Sequence, residues 1–583
     1  MNNHWNLDIL YKSLDDEKFK NDYEKLKTEI EKIKSFTSEN FTNTNNAKEK
    51  LETYINLTNE ISKLYNLADY CSLLLTVDSE NSAALKVQNT LGELSTELTV
   101  PKAQLKKFLL TIENLDELIN SSDILKEHKF FLEQNKEKAK HMLTESEELI
   151  LEKFKLTGST SWYNLHSLLD STLEVEMNGQ NLSLSTVRNM AYEKDAKTRK
   201  SAYMSELKAY TKLEKPMAAS LNAIKGEAIT TYKLRKYPSV LDMTLKNSFM
   251  DKESLDALLG AMREYMPKFE AYFNHKAKLL GLSGKLPFYD LYAPVGQVSI
   301  TFTKEEACEF IIKNFSEFSE ELGHFTKHVI ENDWIDWDPK KGKMGGAFCY
   351  PLHSVQQSRI LTNFSGSFYD MLTLAHELGH AYHGECLKNA SYLNSDYSMP
   401  IAEVASTFCE ILVCEAALKS ANSAEKLIIL ENDLQGIART IVDIYSRFLF
   451  EDEIIKRREE GSLSVDELKD IMTSAQKQAY GNGLDHEFLH PYMWACKVHY
   501  YSVDSNYYNF PYAYGALFAK GLYAKFLEEG ASFAQKYKDL LAATGCNNLY
   551  DVGKIVDIDI RDINFWRKSL EQVALQIEEF VRS

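Results

Sequence analysis

Helical spacing of apolar side chains, carried almost without a break from about Asp15 to Lys155, is the strongest constraint this chain places on its own fold. In LETYINLTNEISKLYNLADYCSLLL, Leu, Ile and Tyr recur every three or four residues among Lys, Glu and Asn, the pattern of helices that bury one stripe. Long amphipathic antiparallel helices are predicted. Helix breakers are scarce, since 11 Pro and 24 Gly in 583 residues leave few forced interruptions. The period resumes from about Ser185, and TFTKEEACEF predicts a capping box with Thr303 as cap and Glu306 reaching back. The expectation is a mostly α protein, with an N-terminal helical region over 1–185 and a second region over 186–583.

Two short β elements are expected. TLEVEMNGQNLSLSTV alternates Leu173, Val175 and Met177 with polar residues, and Asn178-Gly179 suits a type I′ hairpin turn. GKMGGAFCYPL and SRILTNFSG are short apolar runs bounded by Gly, Pro and Asn, and read as two strands feeding the helix that follows.

Charge and cysteine use exclude several classes. A net charge of −18 repels phosphate backbones and anionic lipid, and no clustered basic patch offsets it, so neither nucleic acid nor membrane is an expected partner. Eight cysteines are scattered without a CxxC pair, which suits reduced thiols in a cytoplasmic protein better than a disulfide framework. The first twenty residues lack an apolar signal core, and no run of 18 apolar residues occurs. A soluble protein is expected.

The segment LTLAHELGHAYHGEC, Leu372 to Cys386, concentrates three histidines and two glutamates in apolar surroundings. On a helix His376 and His380 lie one turn apart on one face, so both imidazoles reach one ion, and Glu377 stands beside it. This is the HExxH arrangement: two neutral imidazoles bind zinc, which acidifies a water, while the carboxylate accepts that water's proton and later hands it to the leaving amine. A catalytic zinc keeps three protein ligands and an open position. The metzincin pattern would need Gly at 383 and His at 386, but the chain has His383 and Cys386. In SMPIAEVASTFCEILVCEAAL, Glu403 and Glu410 are seven apart on one face of a predicted helix. Glu403 is the expected third ligand, and Glu410 a carboxylate to hold a ligand imidazole by its other nitrogen. His383 is expected near the site or in the core, not as a fourth ligand. Further on, six tyrosines fall between Tyr500 and Tyr514, preceded by His499. They offer hydroxyl donors for a developing oxyanion, although packing explains most single members of such a cluster.

LAHELGHAYH, IAEVASTFCE, GKMGGAF, LTNFSGSFYDMLTLAHE and YYNFPYAYG together resemble the oligoendopeptidase F group of thimet-oligopeptidase-like zinc metallopeptidases, and HMLTESEELIL and LTGSTSWYNL extend the likeness toward the N-terminus. The resemblance implies a two-lobed helical metallopeptidase with a deep central channel for short unfolded peptides. It implies one zinc per chain on His376, His380 and Glu403, with Glu377 as base. His499 with Tyr508 or Tyr512 match the family's transition-state donors. GKMGGAFC suggests a substrate-binding edge strand at Gly345, Gly346 and Ala347. The expected activity is zinc-dependent endopeptidase; the alternatives are a zinc carboxypeptidase or dipeptidyl-carboxypeptidase, or a non-catalytic peptide-binding helical protein.

Overall fold

A computed structural model describes residues 2–296 and 300–583. Its helices build two hydrophobic cores. The first runs from Trp5 to Leu132 and is fed by helices such as Glu17–Asn40, which Asp16 caps and whose Phe19, Leu26, Ile30 and Ile33 face inward at helical spacing. The second runs from Leu173 to Phe580 and gathers Lys252–Leu279, Phe368–Leu387, Val404–Ser420, Phe510–Glu529 and Ile563–Arg582. The mostly helical expectation is met, and the capping box at Thr303 and Glu306 forms as expected.

The Asn178-Gly179 hairpin also forms. Strands β1 (Glu174–Met177) and β2 (Gln180–Ser183) pair antiparallel with Met177 opposite Gln180, and both turn residues have positive φ, 52° and 77°, as a type I′ turn requires. A second sheet contains β3 (Ile335–Asp336), β4 (Phe348–Leu352) and β5 (Gln357–Leu361) in the order β3-β5-β4. β4 runs antiparallel to β5, and β3 parallel to it. Two residues are too few to show an alternating pattern, so β3 leaves no trace in the sequence. The expected strand at GKMGGAFC begins later than its glycines suggest. Gly346 takes φ 80°, and the Asn363 side-chain amide donates to the carbonyls of Met344 and Gly346 at 3.0 and 2.7 Å. Pairing starts only at Phe348.

This sheet joins the two cores. Leu352 and Leu361 belong to the first core and Ile360 to the second. The N-terminal segment ties it down: Arg359 Nε donates to Asn6 O at 2.8 Å, and Trp337 N to Asn3 O at 3.1 Å. Past β5 the chain turns at Ser367, whose side chain caps the next helix with Asp370 in a reciprocal box.

Candidate active site

That helix, Phe368–Leu387, carries the HExxH residues. Glu403 sits at the break between the turn Met399–Ala402 and the helix Val404–Ser420, with Pro400 opening the turn. Two glycines hold it close. A Cβ on Gly379 would lie 2.6 Å from Ala405 O, and one on Gly515, in the helix Phe510–Glu529, would lie 3.2 Å from Glu403 Cβ. Backbones can therefore approach where bulkier residues would separate the helices.

The close approach brings three donors together. His376 Nε2 and His380 Nε2 are 3.2 Å apart, and Glu403 Oε2 lies 3.3 Å from the first and 3.5 Å from the second. Bonds of about 2.0 to 2.2 Å from a tetrahedral zinc would separate its ligand atoms by about 3.3 to 3.5 Å. The donor triangle fits such an ion. Glu410 Oε1 stands 3.1 Å from His376 Nδ1, so in the neutral ring, the form that binds a metal, Nδ1–H donates there and the Nε2 lone pair faces the triangle. Ser406 Oγ donates to Glu403 Oε2 at 3.2 Å. The electrostatics also favour a cation. Burial alone would lower the pKa of His376, yet Glu403 and Glu410 hold it well above the usual imidazole range. Burial would raise Glu403, but His376 and His380 hold it well below the usual carboxylate range.

Glu377 is 5% exposed and lines the same cleft as the trio. Burial raises its carboxyl above the ordinary range although both histidine charges oppose this, which keeps it a proton acceptor stronger than a surface glutamate. His383 is fully buried, its Nε2 bonded to Thr544 Oγ1 at 2.8 Å and its ring stacked on Tyr397 at 4.1 Å. Burial pushes it down to about 3, so it is a neutral core histidine.

The six tyrosines separate by burial. Tyr500, Tyr501 and Tyr514 are buried with unpartnered hydroxyls, and Tyr507 donates to Asp452 at 2.9 Å. Tyr508 and Tyr512 remain part-exposed and pack edge to face at 5.4 Å, with the His499 ring 5.2 Å from Tyr508 and 6.3 Å from Tyr512. Tyr512 precedes Gly515 by one turn, and the Glu403 charge is among the influences that raise its pKa after burial. His499 and Tyr508 line a separate cavity of about 400 Å3 with Lys155 and Tyr163. Among the described residues no hydrogen bond joins this pair to the trio.

The cleft over the trio, about 1110 Å3, is walled by Tyr65 and Asp69 from the first core, by β4, and by the HExxH helix. Tyr397 also lines it, and nothing in the sequence marks that residue out.

Residues 189–571 match the sequence profile of peptidase family M3. The chain belongs to peptidase family M3. A second match, to Oligopeptidase F, spans 109–174. Oligopeptidase PepF of Bacillus subtilis is 26% identical to this M3 peptidase over 570 residues, covering 95% of the chain and 83% of that protein. An oligoendopeptidase F homolog of Borreliella burgdorferi is 25% identical and covers 90% of each. Among solved structures, a Chlamydophila abortus protein superimposes with a TM-score of 0.85 at 21% identity, covering 100% of this chain and 98% of that one. Oligoendopeptidase-F of Enterococcus faecium gives 0.68 at 18%, covering 97% and 98%. Family and fold agree with the resemblance, and this M3 peptidase is a metallo-oligopeptidase. Cys71, Cys349, Cys386, Cys409, Cys414, Cys496 and Cys546 are free of disulfides. Among the described residues no helix is long and apolar enough to cross a membrane.

Proposed function

We propose that this M3 peptidase is a zinc-dependent endopeptidase of short unfolded peptides, with one zinc held by His376, His380 and Glu403. The donor triangle, closed to tetrahedral spacing with Glu377 beside it in one cleft, carries this reading. Zinc bound there supplies Lewis acidity for the scissile carbonyl and for the attacking water. Glu410 fixes the His376 tautomer and orients its ring. Glu377 takes the proton of the attacking water on its carboxylate and delivers it to the departing amine nitrogen. Tyr512 or Tyr508, with His499, donates to the carbonyl oxygen as negative charge builds.

β4 is an edge strand facing this cleft, so a substrate in extended form can add to it by main-chain hydrogen bonds. Gly345, Gly346 and Ala347 lead into that edge, and a Cβ on either glycine would meet no atom within 4 Å. The space beside them is left for peptide. Seven cysteines outside any disulfide support a reducing, cytoplasmic setting.

A defined peptide mixture, incubated with enzyme before and after chelation and read by mass spectrometry, tests the proposal. Internal cuts that vanish with chelator and return with zinc are expected. Release of only C-terminal residues or dipeptides would overturn the endopeptidase reading, and stoichiometric binding without products would overturn the catalytic one.

A further inference from the structure

The cleft holds a second polar centre that the proposed chemistry leaves unused. Asp69, on the helix Asn66–Val77, accepts a hydrogen bond on Oδ1 from the Tyr350 hydroxyl at 2.8 Å. Among the described residues, no Lys or Arg forms an ion pair with it. Burial without a counter-charge pushes its carboxyl up to about 6, against the pull of the Tyr350 bond. Tyr65 and Tyr392 line the same space with rings 5.3 Å apart, edge to face. Of the cleft's lysines, Lys388 is engaged by Glu385 at 2.5 Å and Lys102 is exposed. A carboxylate taken out of water costs free energy unless a cation meets it, and tyrosine faces attract the same kind of group.

The strand register places this centre along the path of a peptide. Phe348, Tyr350 and Leu352 of β4 pack with the first core, whereas Cys349 packs with the second, on the side of the HExxH helix. A peptide added along the free edge of β4 alternates in the same way. Side chains on the Tyr350 side then meet Asp69 while those on the Cys349 side meet the helix.

We propose that Asp69, oriented by Tyr350 and flanked by Tyr65 and Tyr392, is a specificity subsite for a cationic group of the substrate peptide, a Lys or Arg side chain or a free α-amine. The inference rests on the peptidase reading with strand addition to β4. A cation paired with Asp69 should favour charged over neutral substrates by roughly 10- to 100-fold, the range of hydrogen bonds to charged groups.

The test walks one Lys, then one acetyl-lysine, through a neutral peptide with a free or an acetylated N-terminus. Readouts are kcat/KM and the bond cut by wild type and Asp69→Asn, and peptide affinity by fluorescence anisotropy on Glu377→Gln with and without Asp69→Asn. Wild type should cut at a fixed spacing from the Lys, prefer Lys over acetyl-lysine, and lose that ratio in Asp69→Asn. A preference following only the free N-terminus would assign the cation to the α-amine. Equal kcat/KM for Lys and acetyl-lysine at every position, with no effect of N-terminal acetylation, would overturn the proposal, as would an undiminished ratio in Asp69→Asn. Should wild type cut no peptide, the peptidase reading fails, and the affinity ratio on Glu377→Gln alone decides the subsite.

Discussion

Replacing Gly379 by Ala tests whether the contact between the two helices that carry the proposed metal ligands sets the geometry of that site. The new Cβ would stand 2.6 Å from Ala405 O, 2.7 Å from Ser406 Cα and 3.0 Å from Ala405 C. All three are backbone atoms, so no side chain can swing aside. Restoring carbon contacts of about 3.5 Å requires the helices to part by roughly 0.8 Å there. Glu403 lies two residues before Ala405 and travels with its helix, so its separations of 3.3 and 3.5 Å from the imidazole nitrogens open. A tetrahedral zinc tolerates about 0.2 Å of error in ligand placement. We expect an overpacking cost of about 1 to 3 kcal/mol and a loss of zinc affinity of at least about tenfold, equivalent to about 1.4 kcal/mol. Competition against a chromophoric chelator measures the affinity, and denaturant unfolding the cost. Gly436→Ala, in the helix Ser423–Ala438 where a Cβ meets nothing within 4 Å, should keep wild-type affinity and gain up to about 1 kcal/mol. A Gly379→Ala protein with wild-type zinc affinity would refute the reasoning.

Glu377→Gln should retain its zinc and lose about 10²-fold to 10⁴-fold in turnover; wild-type turnover on a peptide reporter would remove Glu377 from the mechanism. His380→Ala should purify almost free of zinc by elemental analysis, because a site of two remaining ligands holds the ion poorly. His383→Ala should keep about one zinc per chain yet lose about 1 to 3 kcal/mol, since a fully buried ring is removed and Thr544 Oγ1, which still donates to Leu541 O at 2.8 Å, loses the bond to His383. Tyr508→Phe or Tyr512→Phe should lower kcat by about 10²-fold to 10³-fold with little change in KM. By contrast, Tyr500→Phe, Tyr501→Phe and Tyr514→Phe remove hydroxyls that have no partner and should change neither parameter more than a few-fold. A flat scan across all five would place the oxyanion donors outside this segment.

The helices, the Asn178-Gly179 hairpin and the placing of His376 and His380 side by side were legible because each rests on short-range regularities: apolar periods, turn chemistry, and two histidines four residues apart. The approach of Glu403 to the two imidazoles could be anticipated because the proposed chemistry asks for a third ligand and a glutamate stands in an apolar segment. Gly379 was not legible as a helix contact. A glycine inside a helix signals only a cost in propensity, and its purpose becomes visible once Ala405 and Ser406 are found against it. β4 starts later than its glycines suggest because the Asn363 amide takes the Met344 and Gly346 carbonyls, a tertiary bond to a residue 17 to 19 positions away. Asp69 lay 281 positions from Tyr350. No local pattern could announce that pairing.

The connection between the cores suggests how such a site can be accurate and still accept many sequences. β5 has Leu361 in one core and Ile360 in the other, and it is held by the N-terminal segment through Arg359 and, via β3, through Trp337. Its partner β4 is therefore fixed with respect to the HExxH helix that follows β5 by a single capped turn. Under the proposed strand addition, main-chain bonds to β4 would set where the scissile carbonyl stands, whichever side chains the peptide carries. Selectivity would then come from the wall of the first core, where Asp69 on the helix Asn66–Val77 and Tyr65 in the turn before it line the cleft and Asp69 meets β4 through the Tyr350 hydroxyl. Changes on that wall should alter which peptides are chosen and leave zinc content alone, whereas changes at Gly379 should do the reverse. That contrast distinguishes a site built from two separable surfaces from one in which every contact bears on the metal.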